Sequence, residues 1–586
     1  MTDSDQVWGR VLMCGGTDWL KLGRRGDSKS IPQDEEDHPD LPEPYYLRSL
    51  SAVKAKSIHT SCSACHFVVI STSGEAFLFG RNQFGCLGVA SGKYPYVSES
   101  APLRLRVSDL SGGGEGEGGN KFVHAAMGRN HTLLVDSSGV VYAAGANSLG
   151  QCGVGGVSAQ VGSFRKVVGL EGEKAVMASA GVTFSAVLCE SGKVYTFGSA
   201  EAGQLGHGTT GERIITGNKT VFDVEEEATL VRGIQNTKIT SIACGNQHTI
   251  ALSAEGIVYV WGYNGYCRLG LGNQVDVLKP KVVDQFLKEG KMDEGEQQTG
   301  TARYVTAGPA TSVVIDRQGM FWLAGRWKQT GEGSSGSPYT TFRFLSDIMA
   351  CKVAWASLGG VTHWISTPSS SDLDPLIDVT AERMIVTWGQ NAANSELGLG
   401  DGQPKSCTKP QKHELLEGVG EVLGIAAGQN TTLFLVKPPD PKDKEKEREK
   451  EKANGASIVN PNANKTKEEQ EEDDGDKFSD LPRWPEEVAD TPEHCLVCGK
   501  DTGDDDSPLE CEKCDNPYHL SCLTPPLTAV PEGQWFCPQC MKDPEAPVRG
   551  YTAPKYVADW SGEEEDGGKK RKFGGDSGLG GKKKKQ

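Results

Sequence analysis

The stretch ACGNQHTIALSAEGIVYVWGYNGYCRLGLG, residues 243–272, decides the fold of most of this chain. Its β-branched and aromatic residues predict a first strand over 249–252 and a second strand over 257–261 that ends on Gly262. Gly256 between them can adopt the left-handed conformation that a short hairpin turn needs. The stretch therefore predicts a β-hairpin followed by a glycine-rich loop.

This hairpin recurs along the first 437 residues. The glycine that ends the second strand recurs at spacings of 65, 65, 53, 64, 63 and 64 residues: Gly15, Gly80, Gly145, Gly198, Gly262, Gly325 and Gly389. Paired-strand units of this length fit the blades of a propeller, which closes radially and leaves no long exposed sheet edge. The sequence predicts an all-β, seven-bladed β-propeller over residues 1–437.

The two ends of this region each contain half of a hairpin. Gly15 has no first strand before it, and the strand within 426–436 has no second strand after it. Pairing these two segments closes the ring with one blade shared between the termini. We expect the end of the propeller to lie beside its beginning.

These repeats resemble the regulator-of-chromosome-condensation family. The opening LMCGGTDWLKLGRR (12–25) and the last unit TWGQNAANSELGLGDGQPKSCTKPQ (387–411) are most similar to the second paralogue of that family. The founder of the family is the nucleotide exchange factor for Ran, in which a projecting wedge opens the nucleotide site of the GTPase. The resemblance implies, as one possible function, regulation of or nucleotide exchange on a Ran- or Rac-like GTPase. The insertions at 89–120 and 209–236 are candidate partner-binding loops.

A second pattern lies near the C-terminus, where eight metal-ligand residues fall into four pairs. Each pair has two residues between its members, and the gaps between pairs are twelve, four and fourteen residues: Cys495, Cys498, Cys511, Cys514, His519, Cys522, Cys537 and Cys540. Such pairs bind tetrahedral Zn²⁺, and eight ligands make two closed structural sites. A segment this short buries too little apolar surface to fold alone, so zinc would provide its folding free energy.

The histidine as fifth ligand, together with Trp535 two residues before Cys537, resembles a plant homeodomain (PHD) finger. A RING ubiquitin ligase would carry histidine at the fourth ligand, where this chain has Cys514. The resemblance implies two interleaved, cross-brace sites, each holding one structural Zn²⁺. It assigns Cys495, Cys498, His519 and Cys522 to one ion and Cys511, Cys514, Cys537 and Cys540 to the other.

PHD fingers commonly bind histone tails. An aromatic cage for trimethyl-lysine would usually place a tryptophan two residues before Cys511, where this chain has Leu509. Acidic residues instead favour an unmodified lysine or arginine, because methylation removes hydrogen-bond donors. The resemblance implies that Glu512 and Asp515 contact an unmodified arginine of histone three, and that carbonyls of Pro531, Glu532 and Gly533 hold a free N-terminal amine. An extended tail would add as a strand beside residues 507–510, which include Leu509 and Glu510. The alternative is a solvated acidic loop on a finger that binds another partner.

The remaining segments are low in apolar residues. The sequence predicts a disordered charged linker over 438–490, the finger over 491–544 and a disordered tail over 545–586. Basic clusters at 569–572 and 582–585 favour nuclear import, with contact to nucleic acid as an alternative. The net charge of −17 argues against general coating of nucleic acid. No apolar run reaches the length of a bilayer span, so no membrane association is expected.

The sequence offers no catalytic residues. It contains no phosphate-binding loop of the Walker type and no nucleophile elbow. His131 and His248 recur at the head of a repeat strand, a position that favours a structural over a catalytic role. The combined prediction is a nuclear, chromatin-associated adaptor rather than an enzyme, with GTPase regulation through the propeller as the alternative.

Overall fold

The structure is a computed structural model that describes residues 7–23, 38–110, 119–287, 300–348, 351–367, 383–438, 477–500, 509–531 and 533–558. In the described residues seven antiparallel sheets make up the propeller; five of them contain four strands, and the other two each include a fifth strand. The predicted all-β, seven-bladed propeller is confirmed. Within the described ranges, no helix is long and apolar enough to cross a bilayer.

Six blades are contiguous in the sequence, and the first blade joins the two ends of the propeller. Blade one begins with β1 (Arg10–Gly15) and β2 (Leu41–Leu47), and blade two contains β3 (Ala55–His59), β4 (His66–Ser71), β5 (Ala76–Arg81), β6 (Tyr96–Val97) and β7 (Leu103–Leu105). Blade three contains β8 (Phe122–Met127), β9 (His131–Asp136), β10 (Val141–Ala146) and β11 (Gln160–Lys166). Blade four contains β12 (Ala175–Ala180), β13 (Phe184–Cys189), β14 (Val194–Ser199) and β17 (Val224–Leu230), with the hairpin β15 (Arg213–Ile215) and β16 (Lys219–Val221) inserted before β17. Blade five contains β18 (Ile239–Cys244), β19 (His248–Ser253), β20 (Val258–Gly262) and β21 (Val277–Val282), and blade six contains β22 (Ala302–Ala307), β23 (Thr311–Asp316), β24 (Phe321–Gly325) and β25 (Tyr339–Phe344). Blade seven contains β26 (Trp355–Leu358), β27 (Thr362–Ser366), β28 (Ile385–Gly389) and β29 (Cys407–Lys412). Finally, β30 (Glu421–Ala427) and β31 (Thr431–Lys437) complete blade one.

Short 3₁₀ turns connect several of these strands. They span Arg48–Leu50, Gln83–Gly85, Val107–Asp109, Gly265–Cys267, Asp284–Phe286, Ser346–Ile348, Glu414–Leu416 and Leu520–Cys522. The remaining elements lie in the C-terminal part and are β32 (Arg483–Trp484), β33 (Leu509–Glu510), β34 (Pro517–Tyr518) and the helix α1 (Pro538–Lys542).

The ring closes as the sequence predicts. The first strands of successive blades contact one another in a complete circle, from β30 through β3, β8, β12, β18, β22 and β26 back to β30. In blade one, β1 pairs antiparallel with β31, with Leu12 opposite Phe434 and Gly15 opposite Thr431. The N-terminal strand therefore completes a sheet begun by the C-terminal strands of the propeller.

The recurring glycines have a structural reason. At Gly80 the backbone has φ +106°, and a Cβ would lie 2.6 Å from the carbonyl oxygen of Cys65 and 2.7 Å from Cα of His66. The equivalent Gly145 has φ +117° and lies at a β-bulge in the pairing with β11. A side chain at these positions would be strained and would overlap the preceding strand, so glycine is required.

Part of the predicted disordered linker is folded against the propeller, which corrects that prediction for residues 477–490. β32 pairs parallel with β2, the outer strand of blade one, with Leu47 opposite Trp484. Phe478 and Trp484 are buried, at 3% and 9% exposure. These aromatic residues supply the apolar surface that the charged segment before them lacks. Residues 439–476 of the predicted linker lie outside the described residues.

The beginning of the predicted disordered tail is also folded against the propeller, which corrects the prediction for residues 545–558. The amide of Val548 donates to the carbonyl oxygen of Ser100 at 3.0 Å, and Val548 is 2% exposed. The hydroxyl of Tyr556 accepts from the amide of Phe164 in β11 at 3.0 Å. Both basic clusters of the tail lie outside the described residues.

Candidate metal centre and acidic binding site

The C-terminal finger has little regular structure. β33 and β34 form a two-stranded antiparallel sheet, with Leu509 opposite Tyr518. Its buried cluster contains Leu509, Tyr518 and Leu523 together with Cys511 and Cys537. So small a cluster cannot alone offset the loss of conformational entropy on folding, and the metal ligands become the main source of stability.

The eight predicted ligands form two groups in the predicted cross-brace arrangement. Within each group the ligand atoms all lie within 4.8 Å of one another: Cys495, Cys498, His519 and Cys522 in one, and Cys511, Cys514, Cys537 and Cys540 in the other. The first ligand pair thus shares its site with the third, and the second with the fourth. The predicted pairing is confirmed.

Both groups fit tetrahedral zinc. The Sγ atoms of Cys514 and Cys537 are 3.8 Å apart, and zinc–sulfur bonds of about 2.3 Å give tetrahedral edges of about 3.8 Å. In the other group, Nδ1 of His519 lies 3.3 Å from Sγ of Cys498 and 3.6 Å from Sγ of Cys522. These residues would hold two Zn²⁺ ions, and four protein ligands at each leave no position for a reacting water.

Backbone amides point at the sulfur atoms. The amide of His519 donates to Sγ of Cys495 at 3.4 Å, and the amide of Cys537 donates to Sγ of Cys511 at 3.3 Å. Burial by itself raises the pKa of the Cys495 thiol, but amide donors from His519, Cys498 and Val497 outweigh it and lower the pKa to about 6. At Cys495 these donors therefore favour the thiolate, which is the form that binds zinc.

The aromatic residues of the finger pack inside it. The rings of Tyr518 and Trp535 meet edge to face at 5.5 Å, and Tyr518 is 4% exposed. Leu509, at the position usual for a cage wall, is buried in the same cluster. Trp535 and Tyr518 therefore serve packing within the finger.

The two acids predicted to contact a tail arginine already face guanidinium groups of this chain. Oδ1 of Asp515 lies 2.6 Å from Nη1 of Arg48, which belongs to the turn after β2. Oε2 of Glu512 lies 2.8 Å from Nη2 of Arg483 on β32. Burial raises the pKa of the Glu512 carboxyl, and the charges of Arg483 and Arg48 act against that rise. The acids form a site that accepts arginine side chains.

The other predicted tail contacts are only partly placed. Glu510 is exposed on β33, Pro531 is half-buried and Gly533 is exposed. Glu532 and residues 507–508 lie outside the described residues. The prediction of tail contacts at these positions stays a prediction.

The finger lies against blade one through a second arginine. Arg10 on β1 donates from Nε to Oε1 of Gln534 at 3.2 Å, and its guanidinium lies 5.5 Å from the ring centre of Phe536. Trp8 stacks on the same guanidinium at 4.7 Å. These contacts hold the 533–536 segment of the finger on the start of β1.

A buried glutamate anchors the segment that leads into the finger. Glu99, at 4% exposure, accepts from Nε1 of Trp484 through Oε1 and from Nε1 of Trp19 through Oε2, each at 2.7 Å. After the finger, Glu545 pairs with Arg104 of β7. The chain is thus attached to the propeller on both sides of the finger.

Sequence reasoning missed Arg10, Arg48, Arg483, Trp484 and Glu99. Single arginines carry no spacing signal, and the finger residues that Arg10 and Arg48 contact lie hundreds of residues away in the sequence. The available signal was local: Phe478, Leu481, Trp484 and Val488 place apolar residues at the end of a segment that is otherwise charged.

The recurring histidines link neighbouring blades. His131 is fully buried, and its Nε2 lies 2.9 Å from Oγ of Ser185 in blade four. His248 is also fully buried and donates from Nε2 to the carbonyl oxygen of Thr311 in blade six at 3.2 Å. These contacts agree with the structural role that the sequence favours.

The insertion at 209–236 contains a hairpin that stands apart from the blade sheets. β15 and β16 pair only with each other among the described strands, and residues 212–220 are all exposed. Ile214 is 73% exposed and Ile215 is 45% exposed. Of the other insertion, residues 111–118 lie outside the described residues.

Comparison with known proteins assigns both regions. Residues 10–434 match the family described as RCC1-like domain, and residues 495–540 match the family described as PHD-finger. The chain is 28% identical over 433 residues to the protein RCC2 homolog of Xenopus laevis, across 71% of this chain and 75% of that protein. It is 27% identical over 427 residues to human RCC2, across 70% of this chain and 73% of that protein.

Solved structures share the propeller fold. Prp20p from Saccharomyces cerevisiae superposes with a TM-score of 0.55 at 17% identity, covering 76% of this chain and 95% of that chain. Human WBSCR16 superposes with a TM-score of 0.54 at 20% identity, covering 73% of this chain and all of that chain. At these identities the likeness concerns the fold.

Proposed function

Because the chain belongs to the RCC1-like family and also carries a PHD finger, we propose that it is a nuclear, chromatin-associated adaptor. In this proposal the finger binds the unmodified N-terminal tail of histone three, and the propeller binds a protein partner. Nuclear import would depend on the basic clusters at 569–572 and 582–585. Two binding modules on one chain can gain affinity from effective concentration.

The observation that carries the proposal is the acid pair Glu512 and Asp515. Each carboxylate meets a guanidinium in this chain, at 2.8 Å and 2.6 Å. The site therefore has the charge and the spacing that an arginine side chain requires. The absence of an aromatic ring at Leu509 favours an unmodified tail over a trimethylated one. Prp20p, whose fold the propeller shares, has binding properties toward Gsp1p and histones.

The test measures binding of an unmodified N-terminal peptide of histone three to the full chain by calorimetry. We expect Asp515→Ala to weaken binding by at least about tenfold, because it removes a charge-assisted hydrogen bond. Dimethylation of the tail arginine should weaken binding in the same direction. Glu487→Ala, which changes an exposed acid outside the finger, should leave binding unchanged. A preference for a trimethyl-lysine peptide would contradict the proposal.

The alternative function is regulation of a small GTPase through the propeller. The specific observation in its favour is the exposed hairpin β15–β16, whose apolar Ile214 and Ile215 lie in a predicted partner-binding insertion. An exposed apolar pair beside charged residues is typical of a protein contact.

This alternative is tested by nucleotide release from a Ran-like or Rac-like GTPase. If the hairpin β15–β16 contacts the GTPase, the full chain should accelerate nucleotide release, and Ile214→Ser should abolish most of this acceleration. Val157→Ser changes a residue that is 52% exposed on blade three and serves as the control. Equal release with and without the chain would reject this function.

A further inference from the structure

We infer that Arg48 of the propeller is an intramolecular ligand of the acidic site of the finger and competes there with an arginine from outside. The inference rests on the proposed function, because it concerns the same two carboxylates. It adds a regulatory state in which the finger is closed on blade one. Binding of a tail would then require Arg48 to leave Asp515.

The geometry of Arg48 supports a ligand role. Its Nη1 contacts Oδ1 of Asp515 at 2.6 Å and the carbonyl oxygen of Glu512 at 3.2 Å. Its Nε and Nη2 donate to the carbonyl oxygens of Pro485 at 2.7 Å and Glu486 at 3.0 Å. The fork of one guanidinium therefore joins the finger and the segment leading into it to the turn after β2.

Burial makes this contact exclusive. The side chain of Arg48 is 4% exposed, and that of Asp515 is 23% exposed. Glu512, at 15% side-chain exposure, is simultaneously engaged by Arg483 on β32. An incoming guanidinium cannot reach Oδ1 of Asp515 along the direction that Arg48 occupies. The two partners exclude each other.

The arginines are not part of the zinc-bound body of the finger. Arg48 follows β2, and Arg483 lies on β32, which pairs with β2. The finger is attached to the propeller on both sides, at Trp484 through Glu99 and at Val548 through Ser100. These attachments keep the effective concentration of Arg48 at the acid pair high. Opening of the blade-one contact would expose the acids.

The experiment compares the full chain with Arg48→Ala and Arg48→Lys. We expect Arg48→Ala to tighten binding of the unmodified histone-three peptide by about tenfold or more, because a cis competitor is removed. Arg48→Lys keeps the charge but loses the fork, so an intermediate gain is expected. Arg343→Ala breaks an exposed ion pair with Glu332 on blade six without touching the acid pair or the attachments of the finger, and should not tighten peptide binding.

A second measurement separates this inference from the proposed function. A double-mutant cycle between Arg48→Ala and Asp515→Ala, read by thermal unfolding of the full chain, reports whether the two side chains are coupled without any peptide. If Arg48 and Asp515 are coupled but no variant binds the peptide, the proposed function is wrong, whereas the intramolecular pairing of Arg48 with Asp515 still holds. Peptide binding that is equally tight in the unmodified chain and in both Arg48 variants would overturn the competition. Absence of coupling would also overturn it.

Discussion

The propeller and the finger are stabilised in different ways, as the strand that lies second in each blade sheet and the core of the finger show. β4, β9, β13, β19, β23 and β27 are buried at every position. The finger buries Leu509, Tyr518 and Leu523 and otherwise relies on metal ligands such as Cys511. Apolar burial across many strands stabilises the propeller, whereas a few coordination bonds stabilise the finger.

The comparison teaches that the two regions should fail under different treatments. Removing zinc should destabilise the finger, whereas removing buried apolar side-chain atoms should destabilise the propeller. The contacts of Arg10, Arg48 and Trp484 join them, so loss of structure in the finger should also loosen the segments that flank it.

Zinc removal is the largest effect that this comparison predicts. Structural zinc contributes about 10–16 kcal/mol to the folding of small zinc domains. We expect a strong chelator to abolish hydrogen-exchange protection over residues 509–531 and to leave protection of β31 in place. Elemental analysis should find two zinc ions per chain, one for each ligand group.

A pair of cysteine variants provides the control for zinc binding. Cys511→Ala removes a ligand and should lower the zinc content, whereas Cys351→Ala changes a cysteine outside both ligand groups and should not. Retention of protection over 509–531 after complete zinc removal would contradict the metal-based account of the finger.

The propeller should respond to loss of core volume at its closure. Leu433 on β31 is fully buried and lies opposite Met13 of β1. Leu433→Ala should lower the free energy of unfolding by about 2–5 kcal/mol, the range for leucine truncations in cores. Zinc content should not change. Denaturant unfolding followed on the full chain measures the effect.

Leu415→Ala makes the same chemical change at a residue that is 37% exposed. It should cost far less than the change at Leu433, because little apolar surface is uncovered. Equal losses at the two positions would mean that burial of Leu433 does not stabilise the shared blade.

Much of this organisation is predictable from the sequence, and the reasons are local. The ring of seven blades follows from Gly80, Gly145 and their equivalents, because a bulge with positive φ at one place in each unit demands glycine. The zinc ligands are identifiable because short spacing within a pair is a property of the chain itself. The shared blade follows from two unmatched half-hairpins.

The docking of the finger could not be predicted in the same way. Arg48 and Asp515 are separated by 467 residues, and a single salt bridge leaves no periodic pattern in the sequence. The linker boundary was misplaced because composition over 438–490 is dominated by charge, although Phe478 and Trp484 supply apolar anchors at its end. The contact of these acids with an arginine of a histone tail stays a prediction, and their pairing with arginines of the same chain could not be anticipated.

The segment 477–490, which joins the propeller to the finger, should lose an intermediate amount of stability when its hydrogen bond to Glu99 is removed. Trp484→Phe keeps an aromatic ring on blade one but removes the hydrogen bond from Nε1 to Glu99. Because this bond involves a buried carboxylate, its loss should reduce the local opening free energy of residues 477–490 by about 1.5–3 kcal/mol. Hydrogen exchange of that segment measures the change.

Trp364→Phe is the matched variant on blade seven. The Nε1 atom of Trp364 makes no hydrogen bond to any described residue, so the substitution removes volume without removing such a bond. It should leave exchange in 477–490 unchanged. If both variants accelerate exchange there equally, the bond to Glu99 is not what anchors the segment.

The most gradual effect, spread over several pH units, concerns the histidines between blades. Burial lowers the pKa of His66 to about 3, that of His131 to about 4 and that of His248 to about 3. In the unfolded chain these groups bind a proton below about pH 6.5, whereas the folded propeller keeps them neutral until near pH 4. Their contribution to stability is therefore present above pH 6.5 and is lost as the pH falls toward 4, by about 1.4 kcal/mol per pH unit for each histidine.

Equilibrium unfolding of the propeller between pH 7 and pH 4.5 tests this dependence. His131→Gln removes one of the titrating groups, so the loss of stability per pH unit should become shallower by about 1.4 kcal/mol even though the variant is less stable at pH 7. A slope that His131→Gln does not alter would mean that His131 is protonated equally in the folded and unfolded chains. The close contact with Ser185 of the next blade would then have to tolerate a charged ring, which a fully buried position opposes.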